Sequence, residues 1–254
     1  MQHLPERQNR ILHLLQTQGH VSVSDLSDRL EVSEVTIRKD LRALEERELL
    51  YRTHGGAHLR NPYVTDRPLQ EKAGRQAEEK RRIGEAAAEL VSDRDSIIIG
   101  SGTTMTHLAR SLRSKSALTV VTGALNVALE LIHLADGEVL LLGGMLRSSS
   151  ASVVGPHAEA MLRDTACDKL FLGVDGFDLA FGLTTSNALE AALNDAMIRS
   201  VQRVIVLADS SKFGRRGFRR ICGLEEVDRV ITDSGVEDAA VKALEERGVE
   251  VDVV

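Results

Sequence analysis

From residue 96 to the end of the chain, short unbroken apolar runs alternate with longer stretches of helical periodicity. The runs fall at 96–99, 119–122, 139–142, 170–173, 204–208, 230–232 and 249–253. Most are continuous rather than alternating, so both faces of each strand need apolar cover. That selects a largely parallel sheet with crossover helices on both sides. Such α/β sheets receive ligands in the crevice outside the carboxyl ends of their strands.

Chemistry-bearing residues collect at those ends. The first run leads into Gly100-Ser101-Gly102-Thr103-Thr104, ahead of a helix expected over 105–112. This loop offers backbone amides, hydroxyls and the positive end of a helix dipole, which together hold a phosphate. It lacks the lysine and spacing of a Walker A loop, and taken alone it reads equally as a tight turn. The next runs end in Thr122-Gly123-Ala124, Gly143-Gly144, Asp175-Gly176 and Asp209-Ser210-Ser211-Lys212. Each of these alone is an ordinary turn or surface charge. On one shared rim, carboxylates accept sugar hydroxyls while lysine and the hydroxyl loop take phosphate. The rim therefore suits an anionic, polyhydroxylated ligand.

The first sixty residues follow a different pattern. Ile11, Leu12 and Leu15 mark a helix running to about Gln18, and Gly19 ends it. Val21 and Val23 alternate with polar residues, as in a short strand, and Ser24 is placed to cap a second helix with Leu26 and Leu30 inward. After a turn at Glu31-Val32, Ser33 caps a third helix. Its apolar stripe is Ile37, Leu41 and Leu44. Val35, Arg38, Lys39 and Arg42 lie opposite, with Thr36 on the flank and Glu34 at the dipole's positive end. Arginine and lysine serve phosphates and guanine edges, and threonine and valine methyls serve thymine, so this layout fits a recognition helix. A strand over 49–52, containing Arg52, leads to the turn His54-Gly55-Gly56-Ala57, the tip of a wing. Its glycines leave the backbone open to a phosphate. The expected organisation is a winged helix-turn-helix DNA-binding domain at 1–58, a linker at 59–77 and an α/β domain at 78–254. The linker holds Asn61-Pro62 and Arg67-Pro68. The mixed-sign run from Glu78 to Arg82 is expected on a solvated helix face.

Composition excludes several classes. The 254 residues carry a formal net charge of −6, so a DNA contact must be local rather than a general polycationic coat. The N-terminal residues are polar and no apolar run approaches the ~20 residues of a membrane helix, so neither a signal peptide nor a membrane partner is expected. Cys167 and Cys222 stand far apart without metal-ligand spacing. The expectation is a reduced, cytoplasmic protein with no metal and no cofactor.

The stretch from Val21 to Ala57 resembles the winged helix-turn-helix of the DeoR/GlpR family of bacterial transcription regulators. The family pattern is V-S-x-x-T-I-R-R-D-L followed by R-x-H-G-G-A. Here it reads Val32-Ser33, Thr36-Ile37-Arg38-Lys39-Asp40-Leu41 and Arg52-Thr53-His54-Gly55-Gly56-Ala57. Lys39 replaces a usual arginine, keeping the charge and losing the bidentate fork. The second half is similar to that family's sensor domain, which is similar in fold to ribose-5-phosphate isomerase. The matches are S-G-T-T at 101–104, G-G-x-L-R at 143–147, L-G-V-D-G at 172–176, G-L-T-T at 182–185 and D-S-S-K-F at 209–213. The resemblance implies a repressor of a carbohydrate operon that binds double-stranded operator DNA, self-associates as a dimer or tetramer, and is released by a phosphorylated sugar. Carried over, Ser101, Thr103 and Thr104 hold phosphate, Asp175 and Lys212 contact the rest of the ligand, and Glu190 joins from the next helix. Gly100 and Gly123 depart from the family's usual Asp and Asn, so the ligand differs in its polar contacts. The stretch 143–159 looks closest to the amino-sugar branch, the AgaR-like regulators.

Two other readings share these residues. One is a sugar-phosphate isomerase using Asp175, Asp178 and Glu190, but the stretch 181–187 lacks the lysine such an enzyme places there. The other is an activator with the same effector. The helix at 187–200 and the end at 249–254 fit core or oligomer contact equally.

Overall fold

Unbroken apolar runs need two covered faces, and the computed structural model, which describes residues 5–47, 49–53, 55–58 and 66–254, supplies both. The chain divides into two compact units, Met1–Pro62 and Tyr63–Val254.

The first unit runs α1 (Glu6–Gln18), β1 (His20–Ser22), α2 (Val23–Leu30), α3 (Glu34–Glu45), β2 (Tyr51–Thr53) and β3 (Gly56–His58). Gly19 ends α1 with φ 69°, and its N–H returns to the Leu15 carbonyl. Ser22, not Ser24, caps α2: its hydroxyl accepts the Asp25 N–H at 3.0 Å. Val23 therefore opens the helix instead of continuing the strand, because Ser22 already has the extended backbone an N-cap needs. Glu31, at φ 53°, closes the turn, and Ser33 caps α3 through the Thr36 N–H. Ile11, Leu15, Leu26, Ile37, Leu41 and Leu44 form the shared core. β3 lies between β1 and β2, antiparallel to both.

The second unit opens with α4 (Leu69–Ala73) and α5 (Ala77–Glu89), then β4 (Ser96–Ile99), α6 (Thr103–Ser111), β5 (Thr119–Thr122), α7 (Leu125–Leu131), β6 (Glu138–Leu141), β7 (Met145–Arg147), β8 (Ser152–Val154) and α8 (Pro156–Leu162). It continues with β9 (Cys167–Gly173), β10 (Gly176–Asp178), β11 (Gly182–Thr185), α9 (Ala188–Ile198), β12 (Val201–Leu207), β13 (Arg219–Cys222), β14 (Arg229–Thr232), α10 (Asp238–Glu245) and β15 (Glu250–Val253). All seven expected runs become strands of one sheet, ordered β15-β14-β12-β9-β4-β5-β6. Every pairing in it is parallel. Alternate residues feed two cores: Ile97 and Ile99 pack with Ile83 and Leu108, Ile98 with Leu170 and Val206. After β4 the chain winds outward to β5 and β6, whereas from β9 it winds the other way to β12, β14 and β15. The crevice between the carboxyl ends of β4 and β9 is thus the topological switch point, where such sheets take ligands.

Two expectations change here. The described part of the stretch expected as linker carries α4 within the second unit, where the Leu69 N–H donates to the Ser149 carbonyl at 2.8 Å. The charge run on α5 is not wholly solvated: Lys80 is buried, and its ammonium donates to the carbonyls of Lys72 (2.7 Å) and Arg75 (2.5 Å). Among the described residues no helix is long and apolar enough to cross a membrane, and no His/Cys/Asp/Glu group could hold a metal ion.

Candidate functional site

The exposed face of α3 carries the side chains expected of it. Ile37, Leu41 and Leu44 are buried, while Glu34, Val35, Arg38, Lys39 and Arg42 face solvent. Arg38 donates to Glu34 at 2.6 Å and Arg42 to Glu46 at 3.2 Å, both one helical turn apart. Exposed pairs of this kind contribute only about 0.3–0.5 kcal/mol, so a phosphate displaces them easily. Lys39 has no ion pair among the described residues. Thr36 is tied to Ser33, hydroxyl to hydroxyl, at 3.0 Å. Glu45 orients Arg52, taking its backbone N–H at 3.1 Å and its guanidinium at 3.4 Å. His54 lies outside the described residues. The two wing glycines differ. Around Gly55 there is open space, but a Cβ on Gly56 would sit 2.0 Å from the Val21 carbonyl oxygen. Gly56 is therefore needed for the pairing of β3 with β1, and its bare face is already occupied by protein.

Sequence reading passed over Asp40. It is buried within the apolar face of α3 and accepts hydrogen bonds from Arg7 at 2.5 Å and Gln8 at 3.2 Å, both on α1. The signal was an aspartate placed between Ile37 and Leu41 on the inward stripe.

In the second unit a connected polar network lies at the switch point. Gly102, at φ 128°, precedes α6, and no side chain caps that helix, so amides of its first turn stay open beside Thr103 and Thr104. The Ser101 hydroxyl donates to Glu190 Oε1 at 3.0 Å. Glu190 sits in the first turn of α9, whose cap Asn187 accepts the N–H groups of Leu189 and Glu190. Glu190 Oε2 accepts from Arg147 Nη1 at 3.0 Å. Thr185 Oγ1 lies 3.0 Å from Glu190 Oε2 and 3.2 Å from Asp175 Oδ2, so its one proton serves one carboxyl at a time. Asp175 Oδ2 also takes the Ser186 hydroxyl at 3.0 Å, and its Oδ1 takes the Lys72 ammonium at 2.7 Å. Asp66 binds Arg147 and Ser149, and its Oδ1 lies 3.3 Å from the Ser186 hydroxyl, whose one proton serves Asp66 or Asp175 at a time.

The electrostatics divide the two carboxyls. Burial pushes Asp175 up, but the Lys72 charge and hydrogen bond, the Lys212 charge and the Ser186 hydrogen bond together hold the group below the usual range. Burial pushes Glu190 up, and the neighbouring Asp175 charge adds to that. Lys212 is pushed down by burial, against the pull of Asp209 and Asp175. Lys80 is pushed down to about 8, chiefly by burial, with Lys212, Lys72 and Arg75 adding repulsion. Among the described residues the Lys212 ammonium makes no ion pair and no hydrogen bond. Lys212 is half-buried, its charge answered through space by Asp209 and Asp175 but by no direct contact, and with Lys72 nearby this group can accept an anion.

The remaining expected residues serve mainly as framework. Thr122 is fully buried and donates to the Ile99 carbonyl at 2.8 Å, while the Ala124 N–H returns to its hydroxyl at 3.1 Å. Gly123 and Ala124 line a narrow cleft with Ser101, Ser152, Glu190 and Asn194. Gly100 donates to the Phe171 carbonyl, linking β4 to β9. The Gly143 N–H meets the Met161 sulfur, and Gly144 packs against the Val154 carbonyl, at the root of the β7–β8 hairpin. Gly176 lies where a Cβ would meet the Arg215 carbonyl at 2.6 Å. Sequence reading missed Asp66, Lys72, Thr185 and Ser186 and did not weigh Arg147 as a contact. Arg147 and Thr185 sat inside quoted motifs; Lys72, 103 residues before Asp175, gave no signal.

The comparisons with known proteins agree with this layout. The family described as DeoR-like helix-turn-helix domain matches residues 7–62, and the one described as DeoR C terminal sensor domain matches 75–234. The uncharacterized HTH-type transcriptional regulator YulB of Bacillus subtilis (strain 168) is 39% identical over 249 residues, covering 98% of this chain and 96% of that protein. The putative aga operon transcriptional repressor of Escherichia coli O157:H7 is 38% identical over 252 residues, covering 98% and 93%. A D-ribose-5-phosphate isomerase solved with phospho-erythronic acid aligns over 54% of each chain at 19% identity and a TM-score of 0.41. That likeness is too distant to carry a reaction or ligand across, and the close relatives are named as regulators rather than enzymes. With both parts matched in order, the chain belongs to the DeoR family of helix-turn-helix transcriptional regulators.

Proposed function

We propose that this regulator is a repressor of a carbohydrate catabolism operon, released from double-stranded operator DNA by a phosphorylated sugar. The α3 face, with Val35, Thr36, Arg38, Lys39 and Arg42, reads the major groove, and Arg52 and Gly55 touch the backbone from the wing. The observation that carries the effector reading is Lys212: a half-buried ammonium at the rim of a parallel sheet that makes no hydrogen bond or ion pair among the described residues, with Asp209 and Asp175 acting on it only through space. It takes the phosphate together with the open amides and hydroxyls of 101–104. Asp175, held ionised, and Glu190 accept sugar hydroxyls. The name of the Escherichia coli O157:H7 relative supports the negative sign of regulation and a carbohydrate context.

Operator reading by two half-sites calls for a two-fold assembly. The second copy docks on the free edge of the large sheet at β6. The opposite edge strand, β15, is blunted by Glu250 and Asp252, bonded to Arg203 and Arg229. Strand β6 carries Leu140 and Leu141 instead, both 43% exposed although they point to opposite faces. An unprotected apolar edge of this kind requires a partner.

A thermal-shift screen against a panel of sugar phosphates, with the unphosphorylated parents as controls, tests the effector reading. A ligand at ~100 times its dissociation constant adds about 2.7 kcal/mol to stability. A shift with one ester, absent for its parent sugar and lost in Lys212→Ala, is the expected result. A shift with free sugars alone overturns the phosphate subsite.

A further inference from the structure

The segment that leads out of the unit boundary is bonded into the effector site. Asp66, Leu69 and Lys72 are among the first described residues after the boundary at Pro62–Tyr63. Each is anchored to the pocket or its wall: Asp66 to Arg147, Ser149 and Ser186, Leu69 to the Ser149 carbonyl, and Lys72 to Asp175. Arg147 in turn holds Glu190, and Ser186 holds Asp175. The two carboxyls that face the proposed ligand are thus the same two that fasten residues 66–72.

We propose that Lys72 is the sensing residue of this site: it rests on Asp175, and the phosphate of the bound effector draws it away. The inference rests on the effector reading given above. A phosphate carries more charge than one carboxylate and offers three acceptor oxygens, so it competes directly for a lysine 2.7 Å from Asp175. Transfer of Lys72 leaves Asp175 with the hydrogen bonds of Thr185 and Ser186 and one oxygen free for a ligand hydroxyl. It also pulls on the backbone of α4, where the Lys72 carbonyl holds the buried Lys80 ammonium. A ligand can act on the DNA-binding unit only through contacts that differ between bound and free states. Lys72 supplies such a difference in the chain that returns to that unit, with no need for the sheet itself to deform.

The test is amide hydrogen exchange on the full-length protein, with inorganic phosphate as the probe and sodium chloride at matched ionic strength as the control. In the wild type, phosphate should protect residues 101–104 and speed exchange at 66–76 by about 10-fold, inside the usual span of coupling between sites. In Lys72→Met the segment should already exchange fast, and phosphate should protect 101–104 only at higher concentration and without changing 66–76. Lys72→Arg should restore the phosphate-dependent change in part. Protection of 101–104 with an unmoved 66–76 in the wild type overturns the role of Lys72 and leaves the pocket standing. Absence of protection at 101–104 overturns the pocket and this inference with it.

Discussion

Arg7 on α1 donates a 2.5 Å hydrogen bond to Asp40 inside the apolar face of α3, so the helix with the exposed cations is locked to its neighbour by a charge. Asp40 also accepts from the buried amide nitrogen of Gln8 at 3.2 Å. Asp40→Ala removes both acceptors at once. Hydrogen bonds to charged groups contribute about 1.5–3 kcal/mol, but Arg7 is partly solvated, which reduces its share to the low end. The expected loss is about 1–2 kcal/mol, seen as a fall of several degrees in the melting of the Met1–Pro62 unit by NMR. Asp40→Asn, which can still accept from Gln8, should lose less. An unchanged melting point would mean that apolar packing alone fixes α3.

Arg38 and Lys39 are neighbours on α3 with different geometry to offer. Arg38 has a planar fork and a weak intrahelical partner in Glu34; Lys39 has a point charge and no ion pair among the described residues. Arg38→Ala should weaken operator binding by about 1–3 kcal/mol and relax base preference at one position. Lys39→Ala should weaken binding evenly across sequences and lower the salt slope by about one. Fluorescence anisotropy at several salt concentrations separates the two outcomes. Neither change should alter the thermal shift given by an effector.

Lys80 gives the stability a defined pH dependence. Burial lowers its folded-state pKa to about 8 from an ordinary 10.5. Below about 8 both folded and unfolded chains hold the proton, and the folded state carries the full desolvation penalty. Between about 8 and 10.5 the unfolded chain binds more protons at this site, so its contribution to stability rises with pH. Urea denaturation at pH 7 and pH 9.5 should therefore show a more favourable trend for the wild type than for Lys80→Met. A difference between the two proteins that stays flat with pH would show that Lys80 titrates normally.

The fold was legible because its signals are local and redundant. Seven apolar runs, each backed by a helix-length gap, leave few topologies open, and Ser33 and Gly19 mark helix ends through hydrogen bonds made within a few residues. The ends of β9 and β12 were readable for the same reason, since a strand fixes where its last residue points. Ser24 was misplaced as a cap because Val21 and Val23 have the period of a strand, and only the backbone of Ser22 shows where the helix begins. The contacts closing the site were not legible. Lys72 reaches Asp175 from a charged stretch that gives no periodic cue. Lys80 looked like one charge among five, although helical phase puts it on the inward side with Ile83, Gly84 and Ala87. The question left open for α9 is answered by burial: Ala191, Leu193, Met197 and Ile198 lie in the core.

The β6 edge yields the last prediction. Leu140 and Leu141 flank the free backbone of that strand, and Leu129, Ile132, Met145 and Leu146 on adjoining elements are each more than half exposed. Exposed large apolar side chains gathered near one strand edge suit an interaction surface. In the proposed assembly two copies meet edge to edge about a two-fold axis, pairing the bare N–H and C=O groups and covering the leucines of both, a self-complementary contact. Leu141→Lys puts a charge in that contact without touching either core. Sedimentation velocity at micromolar concentration should show the wild type as a dimer or larger and the variant shifted toward monomer. The variant should keep the wild-type far-UV circular dichroism, and its melting should lose the concentration dependence that a dimer shows. Operator affinity should fall along with the assembly, because two linked half-site contacts bind far more tightly than one. A wild type that sediments as a monomer, or a variant that assembles as well as the wild type, would move the two-fold axis to another face of the molecule.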